Sequence, residues 1–308
     1  MTILKKSGIL ALLFLIVGLI WLYEPDIPLA AAAEVLRKEN SAIVPIKGMD
    51  LHYTEEGRGE PVLLIHGTGG LLHTWDAWTA VLKQHYRVVR LDLPGFGLTG
   101  PSPDGDYSID FYTEVLQDFC DSLQLDSFYL AGNSLGGQIA WEYALKHPHQ
   151  VKKMILLAPA GVYVSNAKST PVFKLAKIDW LATLLQNFGT RFFVKKTLRD
   201  VYADPSRMPA GMENLYLTAA KREGNRAAFM ARLQSRNPKS RFDEIATLDL
   251  PVLLQWGDSD LLIPHTAASK FQERLSRDTL IVYPNTGHVP MEEIPEQSVQ
   301  DALQFLKN

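Results

Sequence analysis

A serine flanked by glycines, Gly132-Asn133-Ser134-Leu135-Gly136, stands between an apolar run, Phe128–Ala131, and a helical pattern, Gln138–His147. That order of strand, sharp turn and helix exposes the serine at the tip of an elbow, where its hydroxyl can attack an electrophilic carbon. A serine hydroxyl is a weak nucleophile at its own pKa, so a base must take its proton and a third group must orient that base. Of the eight histidines, His288 has the best setting. It lies in Asn285-Thr286-Gly287-His288, just past the apolar run Leu280–Tyr283. Asp260 lies in Trp256-Gly257-Asp258-Ser259-Asp260, just past the preceding run, Val252–Trp256. Loops at the carboxyl ends of parallel strands are where such sites form. Asp258 is the rival acid; Asp260 is preferred because a residue further from the strand end can bend back toward the histidine.

Serine attack on a carbonyl creates an oxyanion, which needs two backbone N–H donors. Leu135, directly after the nucleophile, supplies one. The second belongs in His66-Gly67-Thr68-Gly69-Gly70, where Thr68 is the best placed and the glycines let the backbone turn inward. His66 reads as structural, holding that loop by hydrogen bonds. His265 reads as a helix cap, His147 and His149 as surface residues beside Pro148, and His52, His73 and His85 stand in no acid or nucleophile context.

Other chemistries find less support. Gly95-Phe96-Gly97-Leu98-Thr99-Gly100 matches G-x-G-x-x-G, but Pro101, Pro103 and Gly105 follow where a helix should open to receive a pyrophosphate. Asp92–Gly97 therefore reads as a tight turn. No glycine run is followed by Gly-Lys-Ser/Thr, and no histidine–carboxylate helix pair supports a metal site, so neither a cofactor nor a metal is expected. The single cysteine, Cys120, sits in an amphipathic stretch and reads as core; it can form no disulfide within the chain. A net charge of -3 gives no reason to expect a nucleic-acid partner.

The positioning elements follow from periodicity. Ile43–Lys47 and Leu51–Thr54 read as a hairpin. Val62–Ile65, Arg87–Leu91, Phe128–Ala131, Met154–Ala158, Val252–Trp256 and Leu280–Tyr283 read as buried strands. Helical patterns fall near His73–Gln84, Ile109–Leu123, Gln138–His147, Thr266–Leu275 and Glu296–Leu306. The alternation implies a mostly parallel sheet with helices on both faces. It breaks over residues 160–247, a helix-rich stretch punctuated by Pro171, Pro205, Pro209 and Pro238, which reads as a lid inserted after the sixth strand. Residues 43–159 and 248–308 then form the core. Leu181, Leu184, Leu185 and Phe188, with Phe192 and Phe193, form an apolar stripe that packs the lid or lines an acyl pocket. The lid holds 15 Lys and Arg against 7 Asp and Glu. Those cations could rest on anionic headgroups, but solvated outer helix faces explain them better, since no tight cluster occurs.

Residues 1–42 read as an anchor and tether. Lys5 and Lys6 precede Ser7–Tyr23, which carries no charge, and Glu24 and Asp26 follow. Positive residues before and negative after favour a single spanning helix with the rest of the chain on the extracytoplasmic side. The alternative is a signal peptide cleaved near Ala30–Ala33, releasing a secreted or periplasmic protein; the length of the run and its distance from those alanines favour the anchor. Residues 24–42 are expected to have little fold of their own.

His66-Gly67, Asp92-Leu93-Pro94-Gly95-Phe96-Gly97, Gly132-Asn133-Ser134-Leu135-Gly136-Gly137, Gly257-x-x-Asp260 and Gly287-His288 together resemble the α/β-hydrolase fold superfamily over residues 45–160 and 248–308. The resemblance implies an eight-stranded, mostly parallel sheet with the lid after strand six. It also implies that Glu293 supports the site structurally. The anchor and serine are similar to membrane-bound monoacylglycerol-lipase-like members, and the chain then acts on small, lipid-like carboxylic esters. The Gly-Asn-Ser-x-Gly-Gly form also resembles carbon–carbon bond hydrolases of aromatic degradation, which usually carry an aromatic residue where Val289 follows His288 here. Lactonase, amidase and perhydrolase activities use the same three residues. A non-catalytic binding protein on this fold would show a damaged triad or oxyanion loop, and neither is seen.

Overall fold

The computed structural model describes residues 17–18, 21–162, 178, 186–235 and 241–308. Its centre is an eight-stranded sheet in the order β1-β2-β4-β3-β5-β6-β7-β8. The strands are β1 (Ser41–Ile46), β2 (Met49–Glu56), β3 (Pro61–Ile65), β4 (Arg87–Leu91), β5 (Phe128–Asn133), β6 (Val151–Leu157), β7 (Val252–Gly257) and β8 (Asp278–Tyr283). β2 runs antiparallel to both its neighbours, β1 and β4; the other pairings are parallel. The expected hairpin and parallel sheet are present.

The apolar runs form strands because both faces of the sheet are covered. Leu63 and Ile65 of β3 join one hydrophobic cluster and Val62 and Leu64 join another, on the opposite face. The first cluster takes in α3 (Ile109–Ser122) and α4 (Leu135–Lys146); the second takes in α2 (Asp76–Leu82) and α10 (Pro295–Lys307). Cys120 is buried in the first cluster, as expected, and burial pushes its thiol up to about 12. Each fully buried Leu-sized side chain contributes about 1.5–3 kcal/mol. Ser108 caps α3 by accepting the Phe111 N–H at 3.1 Å.

Between β6 and β7 the described part of the insertion contains α5 (Thr190–Val201), α6 (Met212–Lys221) and α7 (Asn225–Gln234). Leu181, Leu184 and Leu185, part of the apolar stripe, lie outside the described residues. The other helices among the described residues include α1 (Leu29–Leu36), α8 (Ala268–Gln272) and α9 (Pro290–Glu293).

One expectation is corrected. Residues 24–42 have a fold of their own. Tyr23 bridges to Phe188 and Ile27 to Arg222, and α1 buries Ala32 and Leu36 completely beside Leu71, Leu98 and Ala219. The sequence Leu-Ala-Ala-Ala-Ala-Glu-Val-Leu is rich in strong helix formers. Its i and i+4 positions give Ala32 and Leu36 one shared face to bury. Most of the uncharged run Ser7–Tyr23 lies outside the described residues; among those described, no helix is long and apolar enough to cross a membrane.

Candidate active site

Ser134 sits between the last residue of β5 and the first of α4, with φ 54° and ψ -114°. A non-glycine residue at positive φ is strained, and such strain concentrates at functional sites. The flanking glycines are required by close approach. A Cβ at Gly132 would collide with the Gly136 carbonyl, and one at Gly136 with the Ile65 carbonyl at the end of β3. The turn is pinned by the Ser134 N–H donating to Leu157 O at 3.0 Å and by Ser134 O accepting from Ala160 N at 2.9 Å.

The structure pairs His288 with Asp260. His288 Nδ1 lies 2.7 Å from Asp260 Oδ2, and the residues are 4% and 5% exposed. Asp260 Oδ1 accepts the N–H groups of Leu262 at 2.8 Å and Ile263 at 3.0 Å, which fixes the carboxylate plane. Asp258 is exposed, and its Oδ1 accepts from the Ser259 hydroxyl at 2.7 Å. Ser134 and His288 line one cavity of about 510 Å³, together with Thr68 and Leu135. Leu135 opens α4, where the helix offers its N–H no acceptor. The opposite wall comes from the insertion, including Phe193, Val194, Leu198, Phe229 and Met230.

The His288 loop is held from three directions. Its N–H donates to Val201 O at the end of α5 (2.7 Å), and its carbonyl accepts Asn133 Nδ2 at 3.0 Å. Asn133 thus links the serine elbow to the histidine loop, a role its place as the variable residue in Gly-x-Ser gave no sign of. Glu293 is buried and accepts the N–H groups of Gly287 (2.7 Å), Asp204 (2.9 Å) and Ala203 (3.2 Å). It is the structural support that the family resemblance implied. Its neighbour Glu292 escaped the sequence reading. Glu292 is buried and accepts from Thr74, Tyr202 and Tyr216, the last at 2.7 Å; burial raises its pKa.

His66 has the structural place expected. Its Nε2 accepts the Leu93 N–H at 3.0 Å, so Nδ1 carries the proton and donates to Gly67 O at 2.8 Å. Burial lowers its pKa. Asp92 is the centre of the turn read at 92–97. It accepts Leu72 N at 2.7 Å, Leu98 N at 2.9 Å and His52 Nδ1 at 2.7 Å, and a Cβ at Gly97 would collide with its carboxylate. These bonds hold its pKa well below the usual carboxylate range despite burial. His52, which stands in no catalytic context in the sequence, therefore has an acid partner in Asp92. His265 is not a cap: it opens a 3-10 turn, and its Nδ1 lies 3.1 Å from Asp258 O. His147 is half-buried rather than fully at the surface, with its ring 4.5 Å from that of Tyr143.

The family model for the alpha/beta hydrolase fold matches residues 60–295. The chain belongs to that family. This α/β-hydrolase resembles several characterised enzymes along most of its length. It is 29% identical over 287 residues to 2-hydroxy-6-oxo-6-(2'-aminophenyl)hexa-2,4-dienoic acid hydrolase of Metapseudomonas resinovorans, covering 89% of this chain and 95% of the relative. It is 28% identical over 276 residues to Lipase 1 of Psychrobacter immobilis, covering 87% and 84%. Among solved structures it superimposes on a bacterial membrane phospholipase A with a TM-score of 0.74 at 29% identity, covering 91% of this chain and 90% of that one. The chain is a hydrolase whose relatives include lipases, esterases and carbon–carbon bond hydrolases.

Proposed function

We propose that this α/β-hydrolase cleaves carboxylic esters with an apolar acyl chain, through Ser134, His288 and Asp260. The observation that carries the reading is the buried Asp260–His288 pair facing the same cavity as a strained serine. His288 Nε2 takes the proton of Ser134 Oγ as that oxygen attacks the ester carbonyl. The carbonyl π pair moves onto oxygen, and the N–H groups of Leu135 and Thr68 stabilise the resulting oxyanion. Collapse expels the alcohol oxygen, which His288 protonates, and leaves an acyl-serine. Water then attacks the acyl carbon as His288 takes its proton, and the proton returns to Ser134 as the acid leaves. Asp260 keeps the His288 proton on Nδ1 and stabilises the imidazolium. No step needs a cofactor.

The apolar insertion residues around the cavity support an alkyl chain in the substrate, and the lipase and phospholipase relatives support a lipid-like one. The insertion then acts as the lid. The uncharged run before Glu24 supports attachment to a membrane, with the catalytic domain on the extracytoplasmic side. A second reading, carbon–carbon bond hydrolysis with the same residues, is favoured by the Metapseudomonas relative.

Hydrolysis of p-nitrophenyl esters of graded acyl length tests the proposal, with Ser134→Ala as control. Turnover by the native chain and its loss in the variant are expected, along with loss of fluorophosphonate labelling. Retained turnover in Ser134→Ala would overturn the assignment. Labelling without ester turnover would keep the activated serine and move the substrate to the other acyl or carbon–carbon classes.

A further inference from the structure

Two arginines of α7 reach the cavity, and their surroundings differ. Arg226 is fully committed. Its Nε and Nη2 donate to Asp26 Oδ1 at 2.9 and 2.6 Å, and its Nη1 donates to Glu24 O at 2.6 Å and Thr190 Oγ1 at 2.9 Å. Arg232 has no hydrogen bond or carboxylate partner of this kind among the described residues. Cavity-lining Asn225, Phe229, Arg232 and Leu233 recur at helical spacing, so Arg232 lies on the stripe of α7 that faces the cavity. Its Nε is buried and makes no hydrogen bond. The guanidinium carbon lies over the Tyr112 ring, 6.0 Å from the centroid. Tyr112 donates its hydroxyl to Pro94 O, and burial keeps that phenol protonated, so it offers a π face and no charge. No Asp or Glu is among the described residues that line the cavity.

A partly buried guanidinium with no counter-ion among the described residues is costly, and burial accordingly lowers its pKa. Its planar fork matches the paired oxygens of a carboxylate or phosphate. We propose that Arg232 is an anion subsite, binding a carboxylate or phosphate group carried by the same substrate whose ester faces Ser134. This deepens the ester-hydrolase reading and rests on it. The substrate is then an amphiphile: an apolar chain against Phe193, Val194 and Phe229, an ester at Ser134 and an anionic group at Arg232. The carboxylate of a dicarboxylic half-ester and the phosphate of a lysophospholipid are the two sources of that chemistry.

The test has a kinetic arm and a binding arm, both on the full chain. Kinetics compare kcat/KM for two matched pairs: mono-p-nitrophenyl adipate against p-nitrophenyl hexanoate, and a lysophosphatidic acid against the monoacylglycerol of the same acyl chain. The native enzyme should favour the anionic member of at least one pair. Arg232→Met should lower that anionic-to-neutral ratio by ~10- to 100-fold, as loss of a charged hydrogen bond does. Arg232→Lys should restore part of it. The pair that responds identifies the source. An unchanged ratio in Arg232→Met, or no anionic preference in the native enzyme, overturns the proposal while neutral-ester turnover leaves the hydrolase reading standing. The binding arm uses uncleavable ether analogues of both anionic substrates and of the monoacylglycerol, read as thermal shifts. An anionic analogue should stabilise the native chain more than the uncharged one does, and Arg232→Met should lose that difference. Equal shifts from anionic and uncharged analogues overturn the subsite whether or not any ester is cleaved.

Discussion

Among the described residues, serine, histidine and aspartate come together at two places, and residue types alone do not separate the two. At one, His288 pairs with Asp260 and lines the same cavity as Ser134. In the other, His52 Nε2 lies 2.7 Å from Ser41 Oγ and His52 Nδ1 lies 2.7 Å from Asp92 Oδ2. The difference is the surroundings. Ser134 is strained, faces a large cavity and lies beside two candidate oxyanion donors; Ser41 begins β1, with its hydroxyl accepting the Lys38 N–H at 2.9 Å. Ser41, His52 and Asp92 therefore clasp the β1–β2 hairpin to the turn that carries Phe96. Ser41→Ala should cost about 1 kcal/mol of stability and keep fluorophosphonate labelling, by mass spectrometry of the labelled peptide. Asp260→Asn should lower kcat by roughly 10³–10⁴-fold, because an amide can favour the wrong His288 tautomer. A loss below tenfold would move the acid role to Asp258.

The elements around the site are held by backbone approach as much as by side chains. Gly136 lets the start of α4 touch the end of β3, so a methyl group there must displace backbone. Gly136→Ala should lower stability by about 1–3 kcal/mol and cut activity, since the displaced strand leads into the Thr68 loop. Thermal unfolding and ester turnover measured together check this. The segment ahead of β1 is equally committed. Asp26 and Glu24 bind Arg226, and α1 packs against α6, so the residues that follow the uncharged run brace the cavity wall. A truncation removing residues 1–20 should keep the melting temperature of the folded domain. One removing residues 1–36 should lower it by several degrees, because Arg226 loses Asp26 and the apolar face of α6 is exposed. Equal melting temperatures would mean that the strap is decorative.

At the scale of the whole molecule, buried titratable groups set opposing pH responses. Burial lowers the His73 pKa from 6.5 to about 4. The unfolded chain therefore binds more protons between those values, and stability from this group falls as pH drops from 6.5 toward 4. Burial raises the Glu142 pKa from 4.5 to about 7, so its contribution is full below 4.5 and is lost as pH rises through 7. The two slopes oppose each other in the window they share. Single variants separate them: urea unfolding of His73→Gln should show less acid destabilisation than the native chain, and Glu142→Gln should be the more favourable substitution at pH 8 than at pH 5. At the same scale, the membrane proposal expects the full chain to remain with membranes through a carbonate wash and the form lacking residues 1–20 to be released; release of both would remove it.

Local pattern alone determined the sheet, its helices, the elbow, the glycine loop and the insertion after strand six. Strand and helix periods and tight-turn glycines are each written within a few residues, and the order Ser, Asp, His is read directly along the chain. Tertiary structure decided what depends on approach between distant segments. It placed Asp260 rather than Asp258 on His288, gave His52 its acid, and turned Asn133 into the link to the His288 carbonyl. It folded residues 24–36 onto the insertion and onto the Leu71 and Leu98 loops, because Ala32, Leu36 and Asp26 find their partners there. It also left Arg232 facing the cavity with no carboxylate among the described residues that line it, a fact about which charges meet, and one that no local spacing encodes.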